Sequence, residues 1–161
     1  MFLVEARTQI SAPPAVVWGV LMDMGRYKEW STLLHAEQTT PPQPGQTIRL
    51  RLSMPNGPTY SFQPLVITLE RDRHFAWSQQ TGMKGIFDGE HHFVLSPVDS
   101  NGTLLHNYER YSGLLSPIIQ RLPMMRSAAS GFSTMNDEIK RRSEQLVSGE
   151  SVMMHQEVQT R

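Results

Sequence analysis

The last third of the chain carries an apolar stripe at helical spacing. Leu115, Ile118, Ile119, Leu122, Met125, Ala129, Phe132, Met135 and Ile139 recur in steps of three and four, which keeps them on one side of a helix. Six strand-like segments precede this stripe with no helix between them. A stripe that long needs a broad surface to cover, and a curved antiparallel sheet supplies one. A helix laid in the mouth of a curved sheet leaves a hollow beneath it, so the pattern leads to a ligand cavity.

The strands are read from alternation and from the turns between them. Residues 2–10 alternate loosely and form a first strand. Ser11-Ala12-Pro13-Pro14 ends it and opens a short helix with Val16, Val17, Val20, Leu21 and Met24 on its apolar side, because proline is accepted in a first helical turn. Gly25 breaks that helix, and Arg26 to Trp30 forms a second one. Turn chemistry then recurs at 41–45, 55–58, 70–73, 82–85 and 99–102, the rhythm of an antiparallel meander. The Asn-Gly pairs at 56–57 and 101–102 favour positive backbone angles and tight hairpins. Ile48, Leu50, Leu52 and Met54 alternate with Thr47, Arg49, Arg51 and Ser53, as in a sheet with one dry and one wet face.

The long helix is expected to begin near Ser116, with Pro117 in its first turn and Pro123 either kinking it or dividing it in two. Lys140-Arg141-Arg142 would complement the dipole at its C-terminus. Residues 147–161 lose the stripe and read as a tail, so the organisation is one domain over 1–146 and a C-terminal tail over 147–161. The 161 residues suit one domain with a real core.

Composition removes several functions. Lys plus Arg and Asp plus Glu are 15 each, without the basic surplus of most nucleic-acid binders. The absence of cysteine excludes disulfides, iron–sulfur clusters, Cys-ligated zinc and thiol nucleophiles. The N-terminus MFLVEARTQI lacks a signal-peptide pattern, and no run approaches the ~20 apolar residues of a membrane span. A cytoplasmic protein without an integral membrane segment is expected. No nucleophile elbow, P-loop or dinucleotide fingerprint is present, and no cofactor is called for.

Ile10-Ser11-Ala12-Pro13, Val17-Trp18, Asp23, Tyr27 and Trp30 resemble the opening of the START-like SRPBCC superfamily. That group holds polyketide cyclases/dehydrases, lipid-transfer START domains and pollen-allergen-like proteins. Gly89-Glu90-His91-His92-Phe93 resembles its penultimate strand, and Glu109 to Leu115 its last strand and the start of its helix. Gly131-Phe132, Met135-Asn136 and Lys140 resemble the helix end. The resemblance spans roughly residues 3–145. It implies an α+β helix-grip fold: a seven-stranded antiparallel sheet wrapped around a long C-terminal helix, with two short helices after strand 1.

Strand alternation places His91 on one face with Phe87, Phe93 and Leu95, and Glu109 with Leu105, Asn107 and Tyr111. If the apolar faces look inward, His91 and Glu109 both enter the hollow. They could serve there as acid and base, or as a buried hydrogen-bonded pair that fixes the last strand. Adjacent side chains of a strand diverge, so His91 and His92 cannot share one metal ion without a bulge, and no metal site is read. Asp88 and Glu90 belong to the opposite, solvated face. Trp30, Phe62, Trp77, Phe93, Tyr111 and Phe132 are the candidate ligand-binding walls. Met54, Met83, Met124, Met125 and Met135 are candidates for an adaptable lining.

The leading expectation is binding of a small hydrophobic or amphipathic ligand, lipid or polyketide-like, between sheet and helix. The alternatives are a cyclase/dehydrase-like enzyme using His91 and Glu109, and a co-chaperone-like interaction module. Partners are then a small hydrophobic ligand and no nucleic acid. Oligomeric state is open, a homodimer included.

Overall fold

The computed structural model describes residues 1–53 and 58–159, and for 81, 123, 124, 126, 127 and 150–159 the backbone alone. Strand β1 (Phe2–Ile10) leads into helix α1 (Pro14–Met22), a 3-10 turn (Met24–Arg26) and helix α2 (Tyr27–Trp30). Seven strands follow: β2 (Leu34–Ala36), β3 (Leu50–Ser53), β4 (Thr59–Phe62), β5 (Leu65–Glu70), β6 (His74–Thr81), β7 (Phe87–Pro97) and β8 (Thr103–Ser112). A short helix α3 (Ser116–Ile119) and the long helix α4 (Pro123–Gln159) close the chain.

The single seven-stranded sheet is corrected by this architecture. Among the described residues eight strands form two antiparallel sheets, a five-stranded one ordered β1-β8-β7-β6-β5 and a three-stranded one ordered β2-β3-β4. The additional strand, β2, has only three residues, too few to show alternation. The break between sheets falls at Gln63-Pro64, where proline has no N–H to give a ladder. Backbone bonds from Ile48 N to Pro64 O and from Val66 N to Gln46 O still stitch the two sheets together at that seam (3.0 and 2.8 Å).

The two proline expectations hold. Pro13, extended, precedes α1 and a proline occupies its first turn; Pro123 starts α4 after the four-residue α3. Helix α1 carries no charge, and Val17, Trp18, Val20 and Leu21 are all buried, so it is enclosed on most sides. The segment read as a tail is helical as far as Gln159. The cluster Lys140-Arg141-Arg142 is therefore mid-helix and does not cap a dipole. Its three side chains tie α4 to the rest: Lys140 Nζ donates to Gln9 O (2.8 Å), Arg141 to Trp30 O (3.1 Å) and Arg142 to Glu29 (3.4 Å).

The 101–102 turn is built differently from expectation. Among the described residues neither Asn101 nor Gly102 takes a positive φ. Asp99 instead accepts from Asn101 N through its side chain (2.8 Å), an Asx turn, and approaches Gly102 so closely that a Cβ there would lie 3.0 Å from Asp99 Oδ1. The Asn56-Gly57 turn and Met54 lie outside the described residues. Gly113 is a true positive-φ site (φ +102°), and a Cβ on it would sit 2.6 Å from Ile86 O. It permits the chain to turn from β8 into α3 while Leu114 N and Leu115 N bond Gly85 O and Ile86 O (2.9 and 3.0 Å).

The inner face of the large sheet carries Phe75, Phe93 and Leu105, all essentially inaccessible, and α4 lays Phe132, Met135 and Ile139 over it. Glu138, also buried on α4, reaches the α2–β2 connection. Its carboxylate accepts from Ser31 Oγ (2.8 Å), Thr32 N (2.8 Å) and Thr32 Oγ1 (2.5 Å). These bonds fix the segment that begins the small sheet.

Candidate functional site

Between α4 and the two sheets lies a cavity of about 480 Å³, within the range of small-molecule pockets. Strand period and helix period together aim its walls inward. Trp77 and Gln79 come from β6, His91 from β7, Glu109 and Tyr111 from β8, and Phe132 and Met135 from α4, while Leu52, Tyr60 and Phe62 close the side of the small sheet. The lining is apolar except for a few groups from β6, β7 and β8, the Tyr60 hydroxyl of β4 and two hydroxyls of α4.

His91 and Glu109 are cross-strand partners in the β7–β8 register. His91 is 5% exposed, its ring stacked on Trp77 (4.7 Å between centroids) and on Phe132 (5.0 Å). Its Nε2 lies 2.7 Å from Asn107 Oδ1. Asn107 Nδ2 points at Met135 Sδ (3.6 Å), and a thioether sulfur can only accept. Asn107 therefore turns its oxygen to His91, and His91 Nε2 carries the proton. That leaves Nδ1, 3.6 Å from Glu109 Oε2, beyond a direct hydrogen bond.

Glu109 is held by its own strand. Tyr111 Oη donates to Glu109 Oε2 (2.6 Å), and Tyr111 is itself stacked between Phe2 (4.8 Å) and Phe87 (5.4 Å). Burial pushes the Tyr111 phenol well above its ordinary pKa, and the charge and hydrogen bond of Glu109 add to this, so it stays a donor. Gly89 supplies the space: a Cβ there would lie 2.6 Å from Glu109 Oε1. The site can thus present the Nδ1 edge of an imidazole and a tethered carboxylate at one wall of an apolar hollow.

Of the eight candidate residues, His91, Glu109, Phe62, Trp77, Tyr111 and Phe132 line this cavity. Trp30 and Phe93 do not. Trp30 packs edge-on against Tyr27 (4.9 Å), since the short α2 turns it into the core. Phe93 is 1% exposed beneath its neighbours, against Phe75 and Trp77. Met125 and Met135 line the cavity; Met83 is 74% exposed, and the Met124 side chain lies outside the described residues. Gln79 and Tyr60 were reachable by alternation from Trp77 and Phe62. Leu33 and Leu34 sit in a connection with no period to read, and Asn107 as partner of His91 depends on register.

His92 faces the other side of the sheet, as alternation requires. Its Nδ1 meets His74 Nε2 (3.0 Å) and its ring stacks on Tyr108 (4.6 Å). Glu90 Oε2 stands 3.7 Å from Nε2 and also pairs with Arg110. Glu90 is thus engaged and only half-buried on the outer face; Asp88 accepts from Gly85 N (2.8 Å). Among the described residues no group of three or more His, Asp or Glu is placed to hold a metal ion.

Burial lowers the His92 pKa to about 4, with His74 the next cause. Between that value and the ordinary ~6.5 of an unfolded histidine the unfolded chain binds a proton that the folded chain refuses. Stability is therefore retained above pH ~6.5 and lost as pH falls toward 4. The expected loss is about 1–2 kcal/mol, discounted because this face borders solvent. Melting temperatures from pH 7 to 4 check it: the acid-side decline should flatten in His92→Gln, and an unchanged decline contradicts this origin.

Comparison with known proteins agrees with this architecture. Residues 1–144 match the family model described as "Polyketide cyclase / dehydrase and lipid transport". A START superfamily protein from Mycobacterium smegmatis superimposes with a TM-score of 0.67 at 17% identity, covering 89% of this chain and 98% of the other. The Zhui aromatase/cyclase from Streptomyces sp. R1128 gives 0.68 at 16% identity, covering 91% and 95%. A protein from Mesorhizobium loti gives 0.63 at 20% identity, covering 89% and 98%. At these identities the superpositions bear on fold alone. No curated protein matches the sequence significantly.

Proposed function

The chain belongs to the polyketide cyclase/dehydrase and lipid transport family, and from that membership we propose that it binds one small apolar or amphipathic molecule in the cavity beneath α4. The observation that carries this reading is a largely apolar hollow of about 480 Å³ with only a few polar groups in its lining. A ligand ring system the size of a Phe, Tyr or Trp side chain buries roughly 150–250 Å², worth about 4–6 kcal/mol at ~25 cal per Å². A hydrogen bond to His91 adds only about 1 kcal/mol. The hollow supplies affinity, and His91, Glu109 and Tyr111 supply orientation. The open interior also supports a binder over an interaction module, which would have a filled one.

A second reading is favoured by one observation. His91 Nδ1 and Glu109 Oε2 border the same cavity 3.6 Å apart, with the His91 tautomer set by Asn107. That arrangement suits proton transfer in cyclisation or dehydration of a polyketide-like substrate.

Native mass spectrometry of protein purified from its own host, with titration of an apolar naphthalene fluorophore, tests the first reading. One small molecule per chain, or saturable one-to-one uptake of the fluorophore, is expected. An apo mass together with no saturable uptake would end it. His91→Ala separates the two readings: a binder keeps affinity within about tenfold of the parent, the value of one hydrogen bond, whereas an enzyme keeps affinity and loses turnover.

A further inference from the structure

Glu138 and Glu109 both point into the interior, but in different company. Glu138 takes three donors from the α2–β2 connection. Glu109 takes one: among the described residues only Tyr111 Oη donates to it (2.6 Å). An ionised carboxylate has room for about four donors. His91 Nδ1, at 3.6 Å, is beyond hydrogen-bond reach. The Glu109 side chain keeps 18% of its surface accessible and lines the cavity. Tyr111 and the close approach to Gly89, where a Cβ would lie 2.6 Å from Oε1, hold the carboxylate in place. Its spare acceptor capacity is therefore fixed and faces the hollow.

The carboxylate also lacks a strong counter-charge. Among the described residues no lysine or arginine lines the cavity. Arg110, its neighbour in sequence, lies on the outer face of the sheet by strand alternation and pairs with Glu90. A negative group in an apolar wall is stabilised chiefly by a positive partner that also supplies donors. Folding has already placed this group in the wall, so a ligand that brings such a partner meets a site arranged for it.

We infer that the cavity selects a cationic ligand: an amphipathic amine whose ring or chain fills the apolar hollow and whose ammonium group donates to Glu109. An ammonium brings three N–H donors and the missing positive charge. Tyr60, Phe62, Trp77, Tyr111 and Phe132 line the same space, and aromatic rings attract a cation that is losing its water. An anionic amphiphile is disfavoured, because like charges set against each other repel. A neutral alcohol or phenol fills the hollow but offers one donor and no charge. The inference rests on the cavity reading and names the class of molecule that the cavity takes.

Three naphthalenes of nearly one shape test it: naphthylmethylamine, naphthylmethanol and naphthoate, substituted at the same ring carbon. At neutral pH the first is a cation and the last an anion. Each competes on the full chain with the naphthalene fluorophore, and displacement gives its affinity. The amine is expected to bind about tenfold more tightly than the alcohol, the usual gap between charge-assisted and neutral hydrogen bonds. The naphthoate should bind at least about tenfold more weakly than the alcohol. Glu109→Gln keeps an acceptor for Tyr111 and removes the charge, so the amine should come within about threefold of an alcohol whose own affinity is little changed. An amine preference under about threefold in the parent protein overturns the inference and assigns the site a neutral donor. A naphthoate as tight as the amine overturns it too, as does a preference that survives Glu109→Gln. In each of these cases the fluorophore still saturates, and the cavity reading stands. A fluorophore that fails to bind ends that reading and the inference with it. The ranking is read on the parent protein, so an unstable variant leaves the test intact.

Discussion

Glu138→Ala is expected to lower stability by about 2–4 kcal/mol, a fall in melting temperature of roughly 6–12 °C for a domain of this size. The carboxylate is 6% exposed and takes three donors from Ser31 and Thr32. Hydrogen bonds to a charged acceptor are worth roughly 1.5–3 kcal/mol each. Two effects offset the sum. Thr32 is exposed and can bond water instead, and removing the side chain relieves the cost of a buried charge. Ser31, 4% exposed, has no such outlet for its hydroxyl proton. Its oxygen also accepts from Leu34 N (3.0 Å), so its release disturbs Leu33 and Leu34, which line the cavity. Ligand affinity should fall together with stability. Gln in place of Glu keeps one acceptor and should cost about half as much. Thermal and urea denaturation of the three proteins check this order; an Ala variant within 1 kcal/mol of the parent would show that α4 does not hold the α2–β2 segment.

The parts of this protein legible in its sequence are those set by a period. Period two put His91 opposite His92 and Glu109 on one face with Tyr111, and the structure places His91, Glu109 and Tyr111 at the cavity. The helical stripe anticipated Phe132, Met135 and Ile139 as the covering side but not that its first part, with Leu115, Ile118 and Leu122, stays exposed, and turn chemistry at Pro123 marked where α4 begins. Quantities without a period were not legible. Strand register decides that His91 Nε2 meets Asn107 while Glu109 goes to Tyr111, and a shift of one residue would have sent each to the other face. Trp30 carries the right chemistry for a ligand wall, yet α2 is one turn long and its rotation is set by packing on Tyr27. The split into two sheets depends on one donor missing at Pro64 and on a three-residue strand.

Gly131→Leu should separate two quantities that usually fall together in a core substitution. Gly131 lies on α4 at the cavity wall, and a Cβ built on it meets nothing within 4 Å. The Cβ has open space, and the rest of a leucine side chain is expected to extend into the hollow beside Phe132. In a helix leucine is favoured over glycine by roughly 0.5–1 kcal/mol, so the melting temperature should hold or rise by about 1–4 °C. Affinity moves the other way. The four added carbons occupy space that a bound ring system would fill, and a well-packed wall yields only at a cost of about 1–3 kcal/mol. Loss of part of the ligand's buried area adds to that, and the two together predict a 30- to 300-fold weaker complex. Fluorophore titration and calorimetric melting of one preparation give both numbers. Weaker binding with a stable fold places the ligand beneath α4; unchanged binding with the same stability moves it elsewhere, whatever His91 and Glu109 then do.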